Sequence, residues 1–557
     1  MKKILILMLA LILAGCSSTE TKTPEKNTEV EAENVTIELS DEKIVVSDES
    51  AVTLSHDILY YEAGHDATYG EGNASEEHTK EEADLHTVIT IREPGTYRVS
   101  GTLSYGQIAI DLGEDAKKNS GAVVTLVLDG VDLTCTVAPA ILVYNAYECA
   151  SDTKENPNMN VNLTKAGFNL VLENENVISG GHVAKIYKPG TEDKLHKYDA
   201  AIASQVSFNI KGDGSLNLTA DNEGIETRMH MHIRSGNITI NSGDDSLNAG
   251  EDGVSVIRIS DASVVCNANF GEEGDGIDSN GWVVIEGGFV SATGNEKSMD
   301  SGLDSDNGIV ITGGTVIATG NMLDSISSDT NQVVLALQSM KVIEKGTLLM
   351  VKQGDTSTVF INEVNTSILV VSSPDFTEGT AELWQLESAE GQWRANVMSQ
   401  VDSVVTSGKY QVIAGTNFGG MQRPGNIQMP QGGNFNFEDM PEGNFGFDGE
   451  FNFEGMPEGD FNFGENGEGG FNFGGNFGGE FNFEDMPEGN FDPGNMEIPE
   501  GNFDPSQSGR PEGGFDQMPG KGGFNGSSEG FKQMGLTGST EFTLSKGLNQ
   551  LMLMGIE

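Results

Sequence analysis

The sequence predicts an all-β protein built around a parallel β-helix, and three observations carry that expectation. Glycine supplies 72 of 557 residues. A long-helix protein is excluded at that level, because each interior glycine costs a helix about 1 kcal/mol. From about residue 200 a strand–turn–strand unit recurs with steps of 22 to 30 residues. Acidic residues outnumber basic ones 85 to 31, for a formal charge of −54. That balance argues against a nucleic-acid partner, which needs a basic footprint, and against electrostatic adhesion to an anionic membrane surface. It favours cations, or ligands reached through cations.

The chain opens with Lys2 and Lys3, an apolar run from Ile4 to Leu13, and Leu13-Ala14-Gly15-Cys16. The run is short for a membrane span, and the order of charge, apolar run and small residues reads as a processed leader. The last four residues look like a bacterial lipobox, with cleavage before Cys16 and lipid on its sulfur. Residues 1–16 are thus expected to be a lipoprotein signal peptide. The mature protein is expected outside the cytoplasm, held to the membrane by an N-terminal lipid. Residues 17–35 are rich in Thr, Glu and Lys without periodicity and read as a flexible linker. Three other cysteines remain, a poor disulfide framework. Cys135 and Cys149 could pair across a loop, whereas Cys266 lies in a strand-like run and is expected to be a buried small hydrophobe.

Short strands with alternating apolar and polar residues begin near residue 36: 35–39, 88–91, 95–101 and 123–128. Beyond 200 an aliphatic residue follows an acidic or small residue and a small one. It recurs at Ile202, Ile225, Leu247, Ile277, Leu303 and Ile326. Two clear copies of the intervening text are 283–292 and 309–318, each centred on Gly-Gly. One such unit cannot bury its inner face alone; stacking does so. The aliphatic residue at each turn is expected to point inward and stack at ~4.8 Å, and the glycine pairs to allow positive φ at the corners. The longest step is expected to be a loop bulging near Glu251-Asp252 and Glu272-Glu273.

Residues 36–330 are therefore read as the helical stack. Residues 331–416 lose the repeat and are read as a small β-sandwich-like domain, completed by strands in 536–557. Residues 417–535 repeat Phe-Asn-Phe and Met-Pro-Glu-Gly, with 21 acidic and 4 basic residues. They are read as a disordered low-complexity insertion, with too little aliphatic content to fold alone.

Acidic residues gather at the expected corners: Asp244, Asp245, Asp252, Asp275, Asp278, Asp300, Asp304, Asp306 and Asp324. Aspartate is ordinary turn chemistry, and one such residue would mean little. Several in register would repel unless a hard cation lies between them. Calcium, with 6–8 oxygen ligands, suits carboxylates and loop carbonyls. These nine residues are the candidate metal ligands.

Residues 88–112, with Gly95-Thr96-Tyr97-Arg98-Val99-Ser100-Gly101, resemble the opening of a bacterial family of carbohydrate-binding domain-containing proteins. So do Asp275-Gly276-Ile277-Asp278-Ser279-Asn280-Gly281 and Leu303-Asp304-Ser305-Asp306, each followed by a strand ending in Gly-Gly. The resemblance covers about 36–330 and implies a secreted, lipidated, right-handed parallel β-helix similar to pectate lyases of polysaccharide lyase family 9. It implies calcium at Asp245, Asp275, Asp278, Asp304 and Asp306, and a polysaccharide partner, acidic plant-type glycan or cellulose. Residues 148–198 depart from a simple repeat and read as large loops. The alternatives are a calcium-dependent lyase and a structural surface protein. A lyase needs a base and a metal. Arg228, Arg234, Arg258 and Lys297 sit in no catalytic motif, so no lyase activity is expected. His230 and His232 share a strand face and are read as surface residues before metal ligands. Trp282 reads equally as a sugar platform or as core.

Overall fold

The computed structural model describes residues 34–191, 194–414 and 538–557. Cys16, the linker up to residue 33 and the segment 417–535 lie outside the described residues. Among the described residues nearly all regular structure is strand, apart from one turn of α-helix at Lys80–Ala83 and one of 3-10 helix at Glu114–Lys118. No helix among them is long and apolar enough to cross a membrane.

Alternating sequences put every second side chain on one face of a strand. Successive units then lie parallel and in register, and three ladders result. In the first, Phe168–Glu173, Phe208–Gly212, His230–Ile233, Val256–Ile259, Trp282–Ile285 and Gly308–Ile311 follow one another. In the second, Glu175–Gly180, Ser215–Ala220, Asn237–Asn241, Ser263–Asn267, Phe289–Thr293 and Thr315–Gly320 do so. The third runs from Thr87–Ile91 through Gly106–Asp111, Ile141–Asn145, Ala200–Ser204, Glu223–Thr227 and Leu247–Ala249 to Ile277–Ser279.

The expected inward aliphatic residues form a column in the third ladder. Ile202, Ile225, Leu247, Ile277 and Leu303 are aligned and buried. The column extends back through Ile141 and Ile108 to Ile89. Burying each such side chain contributes about 1.5–3 kcal/mol, so the column is a main source of cohesion. The repeat thus starts near 87, not 200. Insertions between the earlier ladder strands, including 146–167 and the hairpin Val183–Tyr187 with Lys194–Tyr198, stretch the period and hide it. The last expected member also departs. Ile326 pairs with Ile309 instead of continuing over Leu303. Cys266 is buried in the second ladder, in register with Ile240 and Ala292. Cys135 and Cys149 are both unbonded thiols.

The glycine pairs have two separate reasons. Gly288 and Gly314, the second of each pair, have φ of 75° and 81°. Both glycines of each pair also face a neighbouring backbone, which is the reason for the first: a Cβ on Gly313 would stand 2.1 Å from the Glu286 carbonyl oxygen.

At Thr315–Gly320 the parallel order ends, and Thr366–Ser372 runs antiparallel to it. Val333–Ile343 is antiparallel to Thr366–Ser372 and parallel to Gly547–Ile556. Leu348–Gln353, Thr356–Ile361, Gly379–Arg394 and Val397–Ala414 add further antiparallel pairs. The sheet is continuous across the change. Phe289 and Ile317 of the second ladder join Leu335, Leu349, Phe360 and Leu383 in one core.

Candidate functional site

Two columns of polar side chains flank the aliphatic column of the third ladder. Two residues before each aliphatic stand Glu223, Asp245, Asp275 and Ser301. One residue after it stand Glu226, Asn248, Asp278 and Asp304. Parallel pairing stacks the members of each column, as the register Glu226, Asn248, Asp278 and the backbone bonds at Asp245, Asp275 and Asp304 require. The ~4.8 Å strand spacing then sets carboxylate above carboxylate.

Backbone amides take up part of the charge. The Asp275 amide donates to Asp245 Oδ1 at 2.7 Å, and the Ser301 amide to Asp275 Oδ1 at 2.6 Å. The Ser305 amide donates to Asp324 Oδ2 at 2.7 Å, and the Gly274 amide to Asp300 Oδ2 at 2.6 Å. This is not enough to offset the stacking. Burial, then the charges of Asp278, Asp275 and Asp244, push the Asp245 carboxyl well above its usual range. Burial and Asp304 do the same to Asp275, and burial with Asp304 pushes Asp324 up to about 7. Asp244 is raised by burial and Glu273.

At one end of the stack lies a group that the reading of aspartates alone missed. Glu223 is 5% exposed, and burial with Glu226, Asp199 and Asp245 raises it strongly. Glu226 is pushed up to about 7 by burial and Asp199. Lys197, from the hairpin above, forms an ion pair with Asp199. Burial works against the Lys197 ammonium, but Asp199, Glu223 and Glu226 outweigh it and hold it charged beyond lysine's usual range. The signal was present: Glu223-Gly224-Ile225-Glu226 repeats the acid–Gly–Ile–acid pattern of Asp275-Gly276-Ile277-Asp278.

Of the nine candidate aspartates, Asp245, Asp275, Asp278, Asp304 and Asp324 are brought together, with Asp244 and Asp300 adjoining. Asp252 is not: it is exposed, bonded to Asn280 and 3.7 Å from Lys154. Asp306 is exposed. Among the described residues no three His, Cys, Asp or Glu side chains converge as a ready metal cluster. The chemistry of the donors nonetheless fits a hard cation. The Asn248 amide donates to Glu223 Oε1 and Asp245 Oδ2, leaving Glu223 Oε2 and Asn248 Oδ1 as buried acceptors without a donor. Two unsatisfied oxygens beside stacked carboxylates call for positive charge or protons.

The other candidates are placed elsewhere. Arg228 pairs with Glu251, Arg258 with Glu286, and Lys297 with Glu272. His230 and His232 are buried, not on the surface, because the segment 150–163 covers their ladder face. Burial pushes both down to about 4. Trp282 lies under that same segment, against Val256, Val284, Val310, Met159 and Val161.

Residues 86–383 match the family of carbohydrate-binding domain-containing proteins. The chain belongs to that family. A protein of Acetivibrio thermocellus described as a carbohydrate-binding domain-containing protein is 30% identical over 153 residues. The match spans 27% of this chain and 44% of that relative, so less than half of the relative's length is covered. A solved polysaccharide lyase-like protein from C. thermocellum, a gadolinium derivative, covers 51% of this chain and 93% of its own at 22% identity and a TM-score of 0.31. Likeness at that level assigns no residue a role.

Proposed function

We propose that this chain binds polysaccharide, acidic plant-type glycan or cellulose, at the cell surface. Its three ladders are read as successive turns of a right-handed parallel β-helix. Its stacked carboxylates are read as holding calcium, and a lipid on Cys16 as attaching it to the membrane from outside. Family membership supports the carbohydrate. The observation that carries the calcium is the pair of donorless acceptors at Glu223 and Asn248 inside a carboxylate stack. Glu223, Asp245, Asp275, Asp278 and Asp304 are the residues that would hold calcium along the stack, neighbouring members sharing an ion. Bound there, calcium would supply the positive charge that lets a chain at −54 accept a polyuronate, sharing its coordination with the sugar's carboxylate.

Lys197 gives the lyase reading its one specific support, since a lyase needs a base near the metal. A base must be neutral when it acts. Lys197 is instead engaged in an ion pair with Asp199, which favours binding over elimination.

The mature chain is expected to retain polygalacturonate on an affinity gel more strongly with calcium than with chelator, forming no unsaturated ultraviolet-absorbing product. Absence of retention on both acidic and neutral polysaccharide would overturn the function. Appearance of unsaturated product would replace binding by lyase action.

A further inference from the structure

A second polar site lies on the other face of the stack, over the first ladder. Residues 160–164 of the covering segment and the side chains of His232, Arg234 and Arg258 line an open groove of about 290 Å3. Two of its three basic groups are committed. Arg258 is buried, paired with Glu286 through Nη1 and donating from Nη2 to the Met159 carbonyl at 2.8 Å. The His232 Nε2 lies 2.8 Å from Ser260 Oγ, and burial together with Arg234 and Arg258 keeps the ring neutral.

Arg234 differs. Its Nε donates to Asn209 Oδ1 at 2.9 Å. Asn209 is itself buried and fixed, donating to the Leu163 carbonyl at 2.8 Å and to Asn169 at 2.9 Å. That bond sets the plane of the half-buried guanidinium. Among the described residues no carboxylate pairs with its terminal nitrogens, in a chain with 85 acidic residues. A fixed guanidinium with both outer N–H pairs uncommitted matches a carboxylate bidentately. Asn160, Asn162 and Thr164, which also line the groove, carry hydrogen-bonding groups suited to sugar hydroxyls.

We propose that the groove at Arg234 is a calcium-independent subsite for the carboxylate of an acidic sugar residue. This deepens, and rests on, the reading of the chain as a polysaccharide-binding protein. Arg234 would make two parallel N–H···O bonds to the carboxylate, while the Asn209 network holds it in place.

The test compares tri-galacturonate with its methyl ester on the full mature chain by calorimetry, in calcium and in chelator. Wild type is expected to prefer the acid about tenfold or more, the scale of a charge-assisted bidentate pair, and to keep that preference in chelator. Arg234→Gln should abolish the preference, and Arg228→Gln, at an exposed pair with Glu251, should not. If Arg234→Gln does not fold, Arg234→Lys serves, since it keeps charge but loses the fork and should cut the preference at least threefold. A preference unchanged in a folded Arg234 variant, or lost in wild type on chelation alone, overturns the subsite while leaving polysaccharide binding intact. A wild type that binds neither sugar, nor cello-oligosaccharide, overturns both.

Discussion

The parallel ladders and the antiparallel region after residue 320 share one sheet but handle charge differently. In the parallel ladders equivalent positions stack, so any charge in the repeat is multiplied: Asp245 lies on Glu223, and Asp275 on Asp245. In the antiparallel region unlike positions face each other, and charges can be matched. Lys409 pairs with Glu382 and lies 4.8 Å from the Trp384 ring centre. Its hydrogen-bonded charge, with the Trp384 bond, holds the Glu382 carboxyl below its usual range, whereas burial and then the stacked charge hold Asp275 above it. Register symmetry makes a neat aliphatic column, and the same symmetry concentrates like charge where a cation is useful.

The largest effect should come from breaking the column. Ile225→Ala removes a fully buried member and should cost about 2–5 kcal/mol in urea unfolding. Val405→Ala, half exposed on the antiparallel region, should stay within about 0.5 kcal/mol. Equal effects would contradict the column as the source of cohesion.

Next is the ion. A ligand of the folded state alone adds about 2.7 kcal/mol at a hundredfold excess over its dissociation constant. Chelation should therefore lower the melting temperature, magnesium should restore it poorly, and Asp275→Asn or Asp304→Asn should blunt the response. Asp48→Asn, outside the ladders, should leave the response whole. A melt indifferent to calcium would return these aspartates to turn chemistry.

A pH-dependent term follows from His182, which sits between Glu76 and Asp221, each at 3.1 Å, and ties residues near 76 to the ladders. Burial opposes its charge, but the two carboxylates prevail and raise it to about 9. Its folded value exceeds the unfolded one, so its stabilisation is complete below about 6.5 and is lost as pH rises through about 9. His182→Gln should flatten the fall in melting temperature between those limits. An unchanged slope would remove this clamp.

The smallest effects are expected where charges are already matched or the chain is already closed. Lys409→Met should cost about 1 kcal/mol or less. Replacing 417–535 by a short linker should leave one cooperative melt, because Val412 and Ser539 on either side are hydrogen-bonded to each other at 2.9 Å and loop-closure cost varies slowly with length. Loss of cooperativity would show that the segment contributes to folding.

Local chemistry made much of this legible from residues alone. Alternation, glycine pairs and the recurring aliphatic residue announce strands, corners and an inward column, because each depends only on side-chain direction and backbone freedom along the chain. They also announce that Asp245, Asp275 and Asp304 belong together. Only the tertiary structure decided the rest. It placed Asp252 with Lys154, put Ile326 beside Ile309, buried His230 and His232 beneath a distant segment, and paired Lys197 with Asp199 near Glu223 and Glu226. Those outcomes depend on where insertions fold back over the ladders. That is set by packing between residues far apart in sequence, and no periodicity records it.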